Sequence, residues 1–252
     1  MSFSRSGEYR LPGPFKLAVG NALLNLSTLA PRYVRNRFLG RRSSYQVFDD
    51  SAMLNDEQGL SINKWKAMQM PSDMRGKSVL DIGCSEGFFC HMCAASGAAP
   101  VVGIDSGLGR LLCGRFNAMN DGFTISYRMD IFPSSRLSRK FDYVLCLSVL
   151  HHFFKKKDIW KILIQEEFGE DLAVLRQNMT RLRALTADGG KCVIEMPYEY
   201  DDVSERQEVD FHRFCMELTN AGFTSARCLG TWEHNKKYAD RKDRVIYVAE
   251  AK

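Results

Sequence analysis

A doubly wound α/β sheet of seven strands is the fold class this chain predicts, and three observations predict it. Residues 77–105, KSVLDIGCSEGFFCHMCAASGAAPVVGID, read as strand, glycine turn, helix and strand, ending in a carboxylate. Residues 141–152, FDYVLCLSVLHH, hold a fully apolar run from Tyr143 to Leu147, suited to a central parallel strand covered on both faces. Between and beyond these stretches, short apolar runs alternate with helical spacings, the pattern of strands joined by crossover helices.

The chain has 252 residues, 45% hydrophobic and 26% charged. That is enough for one α/β domain of globular composition with an extension. Residues 1–42 form the extension. Arg5, Arg10, Lys16, Arg32, Arg35, Arg37, Arg41 and Arg42 stand against Glu8 alone, a net +7 that leaves −2 on the rest of a chain of net +5. Leu17 to Pro31 carries no charge and several leucines. It is too short, and too rich in Asn, Ser and Thr, for a transmembrane span, and no small-x-small cleavage site follows it. Three readings stand open: a helix packed on the main domain, a segment lying on an acidic membrane surface, or an arm reaching RNA phosphates. Residues 43–76 form a connector. Its Tyr45, Phe48, Met53, Leu54, Ile62 and Trp65 suit a lid, and a short helix falls between Gln58 and Met70.

The main domain, residues 77–252, opens with Val79, Leu80 and Ile82, the apolar run of a first strand. Gly83-Cys84-Ser85-Glu86-Gly87 ends it. Glycine lacks a Cβ, so a turn here lets a ligand approach the backbone. Phe88 to Ser96 has helical spacing and stops at Gly97. Val101, Val102 and Ile104 make the second strand, with Asp105 at its carboxyl end, where open α/β sheets bind ligands. Asp105 is placed to hydrogen-bond two ribose hydroxyls. A dinucleotide dehydrogenase also puts an acid about 20 residues beyond a glycine turn, but it needs G-x-G-x-x-G to seat a pyrophosphate. Here Ser85 stands between the two glycines and Glu86 beside it, and a carboxylate repels a pyrophosphate while tolerating a cation.

On Asp81, Gly83, Gly87 and Asp105 the chain resembles class I methyltransferases that use S-adenosylmethionine, over residues 77–252. Ser85 departs from the commonest glycine pattern of that family. The resemblance implies a Rossmann-like, seven-stranded, mostly parallel sheet whose last strand is antiparallel. It implies S-adenosyl-L-methionine as cofactor and S-adenosyl-L-homocysteine as product. Cofactor contacts are expected at Asp81, Gly83, Cys84, Ser85, Gly87, Asp105, Ser106, Asp130, Ile131 and Ser148.

The remaining elements follow in order. Leu108 to Asn120 is helical and Asp121-Gly122 turns the chain. Thr124 to Met129 alternates as a third strand and delivers Asp130, Ile131 and Phe132. In the family an acid at this place accepts from the adenine amino group while apolar neighbours pack on the ring. Tyr143 to Leu147 is the fourth strand, with Ser148 at its end. The Phe-Asp opening and Val-Leu-His-His ending resemble the fourth-strand motif of small-molecule and RNA-base methyltransferases. His151 and His152 are the candidate catalytic bases, since imidazole titrates near neutrality; the other reading makes them scaffolding. Lys155-Lys156-Lys157 is either an anion-attracting rim or a solvated helix start. A long helical stretch from Ile159 breaks near Phe168 and ends at Asp188-Gly189-Gly190. Lys191 to Met196 is the fifth strand, and the Pro197–Asp202 segment follows it. Glu195, Tyr198 and Glu199 are candidate acceptor contacts. Val209 to Ala221 is a helix, and Thr224 to Leu229 and Val245 to Ala249 are the closing strands.

Eight cysteines are scattered along the chain, mostly in apolar contexts, which suits reduced thiols in a cytoplasmic protein. Cys90-x-x-Cys93 falls mid-helix without a second pair, so no metal is expected. The sequence thus predicts a methyltransferase acting on an oxygen or nitrogen of a small metabolite or sugar. A weaker resemblance, carried by Lys64-Trp65, the Val-Val-Gly-Ile-Asp strand and Val-Leu-His-His, is to transferases that carboxymethylate the tRNA wobble uridine. A non-catalytic adenosyl-binding or interaction module is the alternative from another class. The sequence leaves the oligomeric state open.

Overall fold

The computed structural model describes residues 13–26, 59–154, 162–163, 169–199, 204–232 and 242–252. Seven strands, β1 (Val79–Ile82), β2 (Val101–Asp105), β3 (Ile125–Met129), β4 (Phe141–Leu147), β5 (Thr186–Glu199), β6 (Ser225–Trp232) and β7 (Lys242–Glu250), take the order β3-β2-β1-β4-β5-β7-β6. Two compact units divide the chain: Met1–Trp65 with Pro71–Ser135, and Lys66–Met70 with Arg136–Lys252.

The first unit holds helix α1 (Pro14–Leu26), α2 (Gly59–Ala67) as far as Trp65, β1 (Val79–Ile82), α3 (Phe88–Ala95), β2 (Val101–Asp105), α4 (Leu108–Asn120) and β3 (Ile125–Met129). All four residues of β1 are buried, as a parallel strand covered on both faces requires. β1 and β2 pair in parallel from Val79 opposite Val101 to Ile82 opposite Ile104. β2 and β3 pair in parallel from Val101 opposite Ile125 to Asp105 opposite Met129. Helix α1 starts at Pro14, a residue whose fixed φ suits the first helical position. It packs on β3, with Leu24 buried and Gly20 so close to Met129 that a Cβ would run into the sulfur. The Asn21 amide stands in for a neighbouring strand. Its nitrogen donates to the Met129 carbonyl at 2.8 Å and its oxygen accepts from the Met129 N–H at 2.8 Å. This covers the open edge that a terminal strand presents. Of the three readings of this segment, packing on the main domain is therefore realised.

The second unit holds β4 (Phe141–Leu147), a 3-10 turn (Leu150–His152), α5 (Gly169–Leu185), β5 (Thr186–Glu199), α6 (Ser204–Asn220), β6 (Ser225–Trp232) and β7 (Lys242–Glu250). β7 is antiparallel to both β5 and β6, as the family resemblance implies. Val245 to Ala249 are all buried, as befits a strand paired on both sides.

β5 differs from the expected Lys191–Met196 at both ends. Thr186 already pairs with Phe141, and the register then slips so that Lys191 faces Tyr143. Gly190 sits in the slipped segment, where a Cβ would lie 2.8 Å from the Asp142 carbonyl oxygen. At the other end the expected loop from Pro197 is strand as far as Glu199. β4 stops supporting β5 at Glu195, but β7 continues opposite it to Lys242. Pro197 falls where β5 has lost one neighbour, a place where a missing N–H is tolerated. Tyr45, Phe48, Met53, Leu54 and Lys155–Lys157 lie outside the described residues, as does most of the helical stretch expected from Ile159 to Phe168.

Candidate active site

The turn after β1 is built by backbone conformations that few side chains allow. Gly83, Ser85 and Gly87 have φ of 71°, 53° and 83°. The Gly83 and Cys84 N–H groups both donate to the Ile104 carbonyl, at 2.8 and 3.0 Å, which ties the turn to β2. The Gly87 N–H closes back on the Cys84 carbonyl at 2.8 Å. A Cβ on Gly87 would strike the Tyr127 hydroxyl, so this glycine is required by space as well as by φ.

Asp105 is buried at the tip of β2, and the turn holds it from two sides. The Ser85 N–H donates to Oδ2 at 3.1 Å and the Gly107 N–H to Oδ1 at 2.7 Å. Each carboxylate oxygen has two lone pairs, so each keeps one for a ligand hydroxyl. The hydroxyls of Ser85 and Ser106 are buried without a hydrogen-bond partner. A buried hydroxyl left unmet costs about 1–3 kcal/mol, which a bound polar ligand removes. Asp130 follows from β3, its N–H bound to the Asp105 carbonyl at 3.0 Å. Its Oδ1 accepts from the Ile131 N–H at 2.8 Å and its Oδ2 from the Ser135 hydroxyl at 2.8 Å. Ile131 and Phe132 are buried beside it.

Beneath the turn, Asp81 is buried and accepts a hydrogen bond from the Cys90 thiol at 3.4 Å. Burial pushes its carboxyl up to about 7, against the opposing pull of that thiol. The Cys84 thiol is pushed up to about 11, also by burial. Asp81, Glu86 and Asp105 are all buried in this region, and no basic residue stands between Gly83 and Gly87. A pyrophosphate is a poor match for such a set; an uncharged ribose and a cationic sulfur or ammonium are good ones.

In the second unit, Ser148 ends β4 at φ 58°. Its N–H donates to the Glu195 carbonyl at 3.0 Å, and its hydroxyl donates to Glu195 Oε2. Arg244 on β7 donates from Nη1 to Ser148 Oγ at 3.2 Å, and its Nε lies 3.5 Å from Glu195 Oε1. Glu195 has 0% exposure. The structure thus places this candidate acceptor contact inside a side-chain lock with Ser148 and Arg244. His151 and His152 sit in the 3-10 turn that follows, with ring centroids 4.0 Å apart; His151 is half-buried and His152 exposed. Tyr198 and Glu199 occupy the last positions of β5, opposite Asp243 and Lys242, and their side chains fall outside the described residues. Among the described residues no group of His, Cys, Asp and Glu suits a metal ion.

Sequence reasoning gave four residues no role in the site. A Cβ on Gly114, in α4, would lie 2.6 Å from the Glu86 carbonyl oxygen; one on Gly103, in β2, would lie 2.8 Å from Cys84 Sγ. A glycine inside a helix or strand signals such close approach. Lys64 on α2 is buried, its ammonium 5.8 Å from the centre of the Phe89 ring and pulling the Asp81 carboxyl downward. Arg244 gave no signal, because its partners are distant in sequence.

A nucleoside-binding α/β domain, with acids where dinucleotide enzymes keep a bare phosphate cradle, is the class that this fold and turn define. Residues 73–251 match the family model described as "Methyltransferase domain", and the chain belongs to that family, whose cofactor is S-adenosylmethionine. A tRNA U34 carboxymethyltransferase from Campylobacter hominis is 30% identical over 147 residues, covering 58% of this chain and 46% of the relative. A ubiquinone biosynthesis O-methyltransferase from Pseudomonas paraeruginosa is 33% identical over 101 residues, covering 39% of this chain and 42% of the relative. The chain spans less than half the length of these curated relatives. The solved N-methyltransferase NodS from Bradyrhizobium japonicum, in complex with S-adenosyl-L-homocysteine, shares the fold. Its TM-score is 0.53 at 16% identity, over 87% of this chain and 97% of that one.

Proposed function

We propose that the chain binds S-adenosylmethionine on the turn after β1 and transfers its methyl group to an oxygen or nitrogen of a small metabolite or sugar. The observation that carries this reading is Asp105, a buried carboxylate clamped by two backbone N–H groups with a lone pair spare on each oxygen. When bound, the cofactor supplies an electrophilic methyl carbon on a positive sulfur. Asp105 accepts from the two ribose hydroxyls, and Asp130 accepts from the adenine amine beside the apolar wall of Ile131 and Phe132. Asp81, Gly83, Cys84, Ser85, Gly87 and Ser106 form the bed beneath, with acids that favour a cation. His151 takes the proton from an acceptor hydroxyl, and His152 orients it. Ser148, fixed by Glu195 and Arg244, keeps the tip of β4 rigid. Tyr198 and Glu199 complete the acceptor side. Positioning and exclusion of water supply much of the rate in such a displacement.

The likeness to an O-methyltransferase supports a small acceptor. A second reading, carboxymethyl transfer to tRNA, draws on the longer match to the Campylobacter protein and on the +7 arm. A carboxylated donor calls for a guanidinium to receive it. Arg244 already pairs with Glu195, which weighs toward the plain methyl donor. Adenosylmethionine labelled in its methyl group, incubated with the protein and a cell extract, separates the two readings. Label in the small-molecule fraction supports the first. Label only in tRNA, or none transferred, overturns it.

A further inference from the structure

Helix α1, helix α4 and strand β3 wall a cavity of about 410 Å³ that lies wholly within the first unit. Asn21 and Asn25 line it from α1, Arg115 from α4, and Ser126, Tyr127 and Arg128 from β3. None of these residues belongs to the cofactor bed. Among the described residues that line the cavity none is acidic, and neither arginine forms an ion pair with a described residue. Arg115 is half-buried, and burial, with no carboxylate to offset it, pushes its guanidinium down. A cation drawn out of water without a counter-charge is costly, and a bound anion removes the cost.

The backbone of β3 adds a donor. Successive residues of a strand turn their N–H groups to opposite edges. Asp130 gives its N–H to the Asp105 carbonyl on the β2 side, while Met129 gives its own to Asn21 on the other. Tyr127, two residues before Met129, therefore aims its N–H at the same outer edge as Met129. Asn21 covers that edge at Met129; at Tyr127 the cavity adjoins it.

We propose that this cavity binds a phosphomonoester, the phosphate group of a small molecule being held by Arg115, Arg128, the Ser126 hydroxyl and the Tyr127 N–H. Two guanidiniums match the charge of a monoester, about −2 at neutral pH, whereas the diester of a nucleic acid or a phospholipid brings only about −1. Donors that arrive from α4 and from β3 suit a tetrahedral group, with oxygens in several directions, better than a planar carboxylate. The volume falls in the range of small-molecule sites, so there is room for the group that carries the phosphate.

Calorimetric titration of the full chain with glycerol 3-phosphate, with inorganic phosphate and with the diester dimethyl phosphate, all at one ionic strength, tests this. Saturable binding is expected for glycerol 3-phosphate, weaker binding for inorganic phosphate and least for the diester. Arg115→Gln and Arg128→Gln should each weaken the glycerol 3-phosphate complex roughly tenfold or more, the worth of one charge-assisted hydrogen bond. Circular dichroism and the melting temperature of each variant report intact folding, and Arg128→Gln, at an exposed position, serves if Arg115→Gln fails to fold. No saturable heat from either phosphate overturns the proposal. So does equal affinity in the wild type and the folded variants, or a diester or single-stranded RNA that binds as tightly as the monoester.

Discussion

The carboxyl of Asp105, at the tip of β2, and that of Glu195, within β5 opposite the last residue of β4, are both buried, yet they are held in opposite ways. Asp105 is gripped by backbone N–H groups of Ser85 and Gly107, and it retains acceptor capacity toward a ligand. Glu195 is gripped by the side chains of Ser148 and Arg244. A backbone grip survives any substitution of the gripping residue that keeps the turn. A side-chain grip is lost with a single residue. The first arrangement suits a site that must stay open to a ligand of fixed shape; the second suits a brace.

The largest effect that can break this contrast is expected at the brace. Arg244→Met removes the guanidinium that pairs with the buried Glu195 carboxyl, and breaking a buried pair costs about 3–5 kcal/mol. Urea unfolding should show that loss, and Glu195→Met added to Arg244→Met should restore most of it, since an apolar pair replaces an ionic one at little cost. If the single variant is as stable as the wild type, Glu195 is not braced by Arg244.

Gly114 and Gly109 sharpen the contrast within one helix. Gly114→Ala should cost about 2 kcal/mol, because its Cβ would meet the Glu86 carbonyl 2.6 Å away and displace the turn. Gly109 has nothing within 4 Å, so Gly109→Ala should gain about 0.5 kcal/mol from helix propensity. Equal melting shifts for the two would mean that α4 does not press on the turn.

A smaller effect is expected from pH. The Asp81 carboxyl titrates about 7 in the folded chain against 3.8 when free, so the folded state binds its proton more tightly. That stabilisation is complete below the free value and is lost as pH rises through about 7. Asp81→Asn should flatten the melting temperature across this window and raise it by roughly 5 °C above about pH 8. An unchanged pH profile would show Asp81 to be solvated.

The same contrast explains what could be read from the chain. The turn partners lie close in sequence: Ser85 and Asp105 are 20 residues apart and Gly107 only two beyond Asp105. Local glycine chemistry and apolar runs therefore expose them, and the boundaries of α4 and β2 were legible to the residue. Ser148 and Arg244 are 96 residues apart. Nothing local in β7 marks Arg244 as the partner of Glu195, so Glu195 reads in sequence as an acceptor contact at a strand tip. The extent of β5 was missed for a related reason, since the strand that prolongs it to Glu199 is β7, which follows a long connection. The exposed face of α1 was hidden too. Its apolar residues look alike in sequence, and only packing on β3 tells Leu24 from Leu23.

Calorimetric titration of adenosylhomocysteine into the wild type and Asp105→Ala, with NAD as the contrasting ligand, bears most directly on the account. It predicts saturable binding of adenosylhomocysteine, weakened roughly 100-fold in Asp105→Ala as two charge-assisted hydrogen bonds are lost, and no heat from NAD. Binding of NAD in place of adenosylhomocysteine, or equal affinity in both proteins, would contradict it.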